Sequence, residues 1–440
     1  MAGSDMREAL VAGAGIDTSA VVSARTGIVR SVVPFVSELL PRSTVARLAP
    51  ASRPDLLPNV PKDYGVTGFG IGTTEAEARS AAVGETIERY GSLVGAAHVQ
   101  VEYGTYVEFQ DDAVHAEEFV LPTPGEGSAA PFDEKAPRGW VEGHDLTHDR
   151  RVLVPAQLAL PAYTYRSRFQ GEELAPWTTT GLAAHTDASA AVLSGLREIH
   201  ERDAFTIRHL NRWTPPEMPL TRLSDDVAGF LASAPRWHPL TVRAWDLTLD
   251  LGQPVVLAGV LPQTGSLPPF CFGAACRGDY PTALRKAVLE AFQILAVMTR
   301  RGYPRAATPG PLEPLAEPED HIRVSCLPGY RDTLDWLLDQ HAEWKPALPA
   351  SDPDRTTLSS AVADVARRGM RVISIDLTPP DLREIGWHVR KVLVPGAQPL
   401  DFGRLRCLQG RRLYDLPVEL GHRPKPAQES ELNPSPHFFA

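Results

Sequence analysis

The sequence predicts an α+β fold in which antiparallel sheets carry packed helices. Three observations predict it. A helical motif recurs three times, two stretches read as β-hairpins of one style, and no strand–helix alternation is regular enough for a Rossmann fold or a (β/α)8 barrel. The recurring order is hairpin, small-residue loop and carboxylate helix, so the fold carries internal quasi-repeats with E-x-x-E helices.

The elements follow in chain order. Met1–Ser23 is weakly patterned, with helical tendency near Arg7–Ala12, and Thr26–Phe35 (TGIVRSVVPF) reads as an opening strand. Leu48–Tyr64 is a proline-rich connection, and GFGIG (Gly68–Gly72) leads into the first motif helix, Thr73–Tyr90. Thr74 and Glu77 supply a T-x-x-E capping box there. Val101–Ser128 is acidic and irregular, and Trp140–Tyr165 is a hairpin turning at Thr147–Arg151. Thr178–His185 (TTTGLAAH) then enters the second motif helix, Thr186–Asp203, which either Thr186 or Asp187 can cap. Leu240–Leu261 repeats the hairpin, and FCFGAACRGD feeds the third motif helix, which begins at Asp279 and runs to about Arg301. Arg301–Asp320 is a proline-rich link, Tyr330–Glu343 is helical, Asp364–Leu377 is a helix followed by a buried strand, and Gly386–Gly396 is one more strand.

The totals bound the function class. The chain has 440 residues, enough for a large core, with 41 prolines that call for many loops and extended connections. A net charge of −10 argues against a nucleic-acid or anionic-membrane binder. Four cysteines make no disulfide framework, and with no signal peptide they read as reduced thiols in the cytoplasm. Cys271 and Cys276 have the wrong spacing for a zinc hairpin and read as core. No apolar run approaches the ~18 residues of a membrane span.

Aligning Glu85, Glu198 and Glu290 places Ala78, Ala191 and Ala283 seven residues upstream and Ala82, Gly195 and Ala287 three upstream. These positions share a helix face with Glu88, Glu201 and Gln293. E-x-x-E-R alone reads as a solvated salt-bridge stripe. Recurrence in register, small residues upstream and a short Gly/Thr/Ala lead-in favour a site instead. Four glutamates on converging helices require a cation, and all-oxygen ligation selects Mg2+, usually held together with substrate phosphates. No Walker loop or G-x-G-x-x-G is present, although GFGIG could offer amides before a helix N-terminus. The thirteen histidines make no metal spacing, and His200 faces away from the glutamates and packs. Paired carboxylates also suggest a glycosidase, but two acids at i,i+3 on one helix are poorly placed to flank a sugar bond.

GETIERY, LREIHERDA and ALRKAVLEAFQ resemble the three signature helices of the YcaO family, and the D-L-T hairpins and LYDLPVELG are similar to it too. The resemblance runs from about Thr26 to Ala440. It implies a YcaO-like fold: residues 1–25 as an N-terminal extension, 26–414 as the YcaO domain, and 415–440 as a proline-containing tail reaching toward the active site. It implies ATP and Mg2+, with Glu85, Glu88, Glu198 and Glu201 on the metal and Arg202, Thr186, Glu290 and Gln293 on the nucleotide. The ending LNPSPHFFA resembles that of azoline-forming cyclodehydratases, which implies a catalytic role for Pro434, Pro436 and His437. Such enzymes turn Cys, Ser or Thr of a ribosomal precursor peptide into thiazolines or oxazolines by phosphorylating the backbone amide oxygen.

The chain departs from the family pattern at several positions. Thr179-Thr180-Gly181 replaces Ser-Asn-Gly, His185 replaces a common Gly, and Thr186 stands where Asn is frequent. Ala190 replaces a metal-ligating Glu, and Ile71 and Leu295 stand where basic residues are common. Phe438 and Ala440 replace tail prolines. The resemblance also implies a homodimer and a precursor-peptide partner, with a separate leader-peptide-binding protein because the chain begins almost directly in the catalytic-type domain. Two alternatives stay open: a degenerate YcaO protein that binds peptide or scaffolds a modification complex, and a thioamide- or amidine-forming enzyme.

Overall fold

In a computed structural model of the chain, residues 17–52, 66–123, 131–161, 174–175, 177–220, 225–234, 239–263, 267–302, 318–327, 329–349, 352–401 and 406–439 are described. The helical tendency expected near Arg7–Ala12 and most of the Arg301–Asp320 link lie outside them.

Three antiparallel sheets organise the molecule, each feeding one motif helix. The first has the order β1 (Val33–Pro34), β2 (Val45–Pro50), β3 (Thr67–Gly72), and β3 enters helix α1 (Glu75–His98). The second runs β4 (Val101–Gly104), β5 (Arg138–Asp145), β11 (Ile373–Asp376), β12 (His388–Leu393), β7 (Leu182–His185), with β6 (Arg150–Pro155) paired to β5. Its edge strand β7 enters helix α2 (Ala188–Leu210). The third is β8 (Leu240–Asp246), β9 (Val255–Pro262), β10 (Cys271–Cys276), and β10 enters helix α3 (Tyr280–Arg300). Both expected hairpins form, as β5–β6 and β8–β9. The α+β class holds.

Several local readings change. The opening strand shrinks to Val33–Pro34, and the expected connection from Leu48 starts inside β2. GFGIG is strand β3 rather than a loop, paired along its length with β2. Glycine is a poor strand residue, which hides β3 in the sequence, but here it admits a helix at close range. A Cβ on Gly70 would lie 2.0 Å from the Ala78 carbonyl oxygen, and one on Gly68 2.0 Å from that of Ala82. Val101–Gly104 is a strand and not irregular. The Tyr330–Glu343 helix is reduced to a 3-10 turn (Tyr330–Leu334) and one α turn (Asp335–Leu338).

Cores separate by helix. Val83 and Ile87 of α1 pack on Val141, Ile373 and Val389 of the large sheet. Ala283, Ala287 and Phe292 of α3 pack on Val256 and Ala258 of β9 and reach Ile71 of β3. Helix α2 is covered on two sides. Val192, Leu196 and Ile199 meet Val392 and helix α4 (Leu358–Arg367), while Ala204 and Phe205 meet Leu257, Phe272 and the tail's Phe438 and Phe439. The cysteines Cys271, Cys276, Cys326 and Cys407 are buried and form no disulfide among the described residues. Among the described residues no helix is long and apolar enough to cross a membrane.

Candidate functional site

Each motif helix starts at a capped turn and presents its small residues to the strand before it. Thr74 accepts from the Glu77 N–H, Asp187 from Ala190 and Asp279 from Thr282. Asp187, not Thr186, is therefore the cap of α2. The Glu77 carboxylate reaches back to the Thr73 N–H at 2.9 Å and takes two hydrogen bonds from Arg285, at 2.5 and 2.8 Å. That charge-assisted fork ties the start of α1 to α3. Ala78, Ala82, Ala191, Ala283 and Ala287 are buried against their strands, so the small-residue face serves close packing.

The glutamates emerge where that packing ends. The Phe69 N–H of β3 donates to Glu85 at 2.7 Å, and the Gly181 N–H donates to Glu198 at 3.0 Å. In the third copy Gly273 of β10 lies against the Cβ of Glu290. The aligned carboxylates thus occupy equivalent places in the three repeats. Glu85, Glu88, Glu198, Glu201, Glu290 and Gln293 all line one cavity of about 520 Å³. Convergence of the three helices, expected from register alone, is observed.

The cavity is electrostatically unbalanced in a way that favours a bound cation. Burial, then the neighbouring Glu198 and Glu85, push the Glu88 carboxyl well above its ordinary range. Burial raises Glu198 also, against the pull of Arg202. Burial and Glu201 push Glu290 up to about 7. Carboxyls raised by desolvation and by one another are relieved by a hard cation between them. Among the described residues, no three Asp, Glu, His or Cys side chains converge to cage a metal unaided. Mg2+ usually keeps several waters and takes phosphate oxygens, so carboxylates on two helices need not all ligate it directly.

The same cavity supplies cationic donors. Arg202 is largely enclosed, with 13% of its side chain exposed; desolvation opposes its charge, but Glu201, Glu198 and Glu290 outweigh that and raise its pKa. It stands 3.7 Å from Glu198 and 3.8 Å from Glu201, while its Nε and Nη1 have no hydrogen-bond partner among the described residues. Unpaired buried guanidinium donors call for an anionic oxygen. Arg277 and Lys286 also line the cavity. Sequence reading missed both, although Lys286 lies four residues before Glu290 on the same helix face. It missed Lys391 as well. This lysine on β12 is 2% exposed, and burial lowers it to about 8 despite the opposing pull of Glu198 and Glu88. A lysine in the core of the apolar run KVLV was its only signal.

Other expected residues are placed differently. Thr186 is exposed and does not line the cavity. Ile71 and Leu295, where a basic residue was sought, are 3% and 0% exposed in the α3 core, so neither could hold a charge toward the site. Ala190 lies one helical turn before Ser194, which does line the cavity. In the first copy the salt-bridge reading also holds, since Arg89 pairs with Glu85 at 2.5 Å.

The tail approaches the site through its last phenylalanines. Asn433 caps the end of α2, its N–H donating to the Leu210 carbonyl at 2.7 Å. Pro434 is exposed, and the carbonyl of Pro436 accepts from the Tyr330 hydroxyl at 2.5 Å. His437 uses both ring nitrogens: Nε2 donates to the Asp401 carbonyl and Nδ1 accepts from the Phe439 N–H. It stacks on His321 at 3.8 Å. None of Pro434, Pro436 and His437 lines the cavity. Phe439 makes the connection, its ring lying over the Arg202 guanidinium.

Comparison with known proteins agrees with this geometry. The profile of a family described as "YcaO cyclodehydratase, ATP- and Mg2+-binding" matches residues 69–398. A protein of Methanothermobacter thermautotrophicus recorded as uncharacterised is 27% identical over 367 residues, 78% of this chain and 84% of its own length. Among solved structures, a heterocyclase in complex with substrate and cofactor is similar with a TM-score of 0.73 at 23% identity, over 95% of this chain. This chain spans only 56% of that heterocyclase. The YcaO protein of Methanopyrus kandleri, bound with AMPPCP and Mg2+, is similar with a TM-score of 0.56 at 23% identity, covering 84% of this chain and 86% of its own.

Proposed function

The chain belongs to the YcaO family of ATP- and Mg2+-binding cyclodehydratases, and from that premise we propose that it is an ATP-dependent peptide cyclodehydratase forming azolines at Cys, Ser or Thr of a ribosomal precursor peptide. One observation carries the reading. A single cavity gathers glutamates from three helices, half-buried to buried, beside an arginine whose Nε and Nη1 make no hydrogen bond among the described residues.

In this reading Glu85, Glu88, Glu198 and Glu201 hold Mg2+, while Arg202, Glu290, Gln293, Arg277 and Lys286 surround the nucleotide. Bound Mg2+ would supply charge neutralisation at the transferring phosphoryl group. The side-chain thiol or hydroxyl of the peptide adds to the preceding carbonyl carbon and gives its proton to solvent or a base. The carbonyl electron pair moves to oxygen, which attacks the γ-phosphorus of ATP and releases ADP. The nitrogen lone pair then forms the C=N bond as phosphate departs with the C–O pair, and the amide proton passes to water. Arg202 faces the oxygens that gain charge, preorganised by its burial. The assignment extends to the domain division at residues 25 and 414, to a cytoplasmic location, and to a homodimer working with a separate leader-peptide-binding protein.

Calorimetry with ATP and Mg2+ on wild type and Glu198→Ala tests the site. Binding by the wild type and its loss in the variant are expected, and absence of heat from a folded wild type would remove the reading. ATP-dependent loss of about 18 Da from a co-incubated precursor peptide is the product signature.

A further inference from the structure

A second, apolar pocket of about 140 Å³ adjoins the carboxylate cavity. Phe119, Leu121, Leu158, Val394 and Cys407 form its sides. Phe119, Leu121 and Leu158 are only half-buried, so the pocket is reached from solvent. Arg202 lines both this pocket and the carboxylate cavity, and Lys391 stands beside it.

These two side chains give the apolar pocket a polar end. Lys391 Nζ donates to the carbonyls of Thr178 at 2.7 Å and Thr180 at 2.8 Å, and both threonines line the pocket. An ammonium has three donors, and beyond those two bonds Lys391 lies over the Trp177 ring, its Nζ 5.4 Å from the centroid, so its positive charge stays at this end of the pocket. Arg202 adds Nε and Nη1, which make no hydrogen bond among the described residues. An acceptor oxygen carried on an apolar group would meet all of these donors at the junction of the two cavities.

Resting on the cyclodehydratase reading, we propose that this pocket is an acceptor-peptide subsite and takes the apolar side chain of the residue immediately before the cyclised Cys, Ser or Thr. The oxygen to be phosphorylated belongs to that preceding residue, whose side chain leaves from the carbon next to the carbonyl. The side chain of the cyclising residue is bent back onto the carbonyl carbon and has no freedom to fill a pocket. With the oxygen at Lys391 and Arg202, the preceding side chain is directed into the apolar chamber. The volume sets the size: an engineered apolar cavity of about 150 Å³ accommodates benzene, so 140 Å³ suits a side chain of leucine to phenylalanine size. A carboxylate there would be desolvated among Phe119, Leu158 and Val394 and is excluded.

Saturation-transfer NMR on the full chain tests this with N-acetyl-phenylalanine amide, N-acetyl-leucine amide and N-acetyl-aspartate amide as probes. The ring and methyl protons of the first two should show transfer, with a signal about tenfold weaker from the third. Leu121→Trp, which fills the pocket from a half-exposed position, should abolish the transfer, and Leu158→Trp serves if that variant does not fold. Equal transfer to the aspartate probe, undiminished transfer in the folded variants, or transfer to no probe overturns the subsite. MgATP calorimetry on the same samples keeps the two readings apart. A wild type that binds the apolar probes but not MgATP keeps the pocket's preference for apolar side chains and removes the cyclodehydratase reading together with the peptide role that rests on it. One that binds MgATP and none of the probes does the reverse.

Discussion

Arg202 lies beneath the ring of Phe439, its guanidinium carbon 4.9 Å from the ring centroid. Phe439 of the tail therefore contacts Arg202, which lines both cavities. The tail segment behind it is anchored independently, by Asn433 at the end of α2 and by the His437–His321 stack.

If that contact positions Arg202, Phe439→Ala should weaken MgATP binding. A desolvated cation–π contact contributes about 0.5–2 kcal/mol, which corresponds to roughly 2- to 30-fold in Kd by calorimetry. Phe438→Ala is the comparison, because Phe438 packs on Phe272 and Phe205, whereas the ring over Arg202 is that of Phe439. It should lower the melting temperature and leave Kd unchanged. Equal effects of both variants on Kd would mean that tail docking alone matters.

The tail should loosen in acid. Burial holds His437 well below its ordinary pKa, His321 lies below too, and burial lowers His209 to about 4. A histidine depressed in the folded state contributes stability that is present above pH 6.5 and lost as pH falls through its folded pKa. Hydrogen exchange at Ser435 and Phe439, corrected for its intrinsic pH dependence, should accelerate progressively from pH 6.5 to 4. The local destabilisation at pH 4 should be of order 1–3 kcal/mol. A flat corrected profile would assign the anchoring to Phe438 and Phe439 alone.

Two glycines on facing elements should respond oppositely to alanine. Gly70→Ala drives a Cβ into the Ala78 carbonyl and should cost about 3 kcal/mol or more in denaturant unfolding. Gly84, inside α1, has nothing within 4 Å of an added Cβ, so Gly84→Ala should stabilise by about 0.5–1 kcal/mol. Tolerance of Gly70→Ala would contradict the close α1–β3 contact.

Restoring a carboxylate in the second repeat should strengthen the cation site. Ala190 precedes Ser194 by one turn on the face that carries Glu198 and Glu201. Ala190→Glu should tighten MgATP binding by about 1 kcal/mol, roughly fivefold, with little effect on nucleotide binding measured without Mg2+. A tightening of the same size without Mg2+ would place the new carboxylate on the nucleotide instead.

Helix positions, caps and the acidic faces were readable from residue order, because a 3.6-residue period and an N-cap are local properties written into adjacent residues. Glu85, Glu198 and Glu290 fall where register placed them, and the hairpins β5–β6 and β8–β9 form where alternation and turn residues indicated. Strand β3 was hidden because its glycines answer to a helix packed across it and not to any propensity of their own. Lys286 was within reach of local reading, one turn before Glu290 on the same helix, but Lys391 stands beside the cavity from strand β12, distant in sequence from the glutamate helices, so no local pattern marks it. The path of the tail was equally nonlocal: LNPSPHFFA announced a terminal segment bound for the site, but which residue arrives there depends on partners far away in sequence. Asp401 and His321 hold His437 in the core, and Arg202 meets Phe439. Local periodicity determined the pieces and their acidic faces. Long-range packing, which can bury an uncompensated charge only beside an opposite one, decided which cations and which end of the tail complete the site.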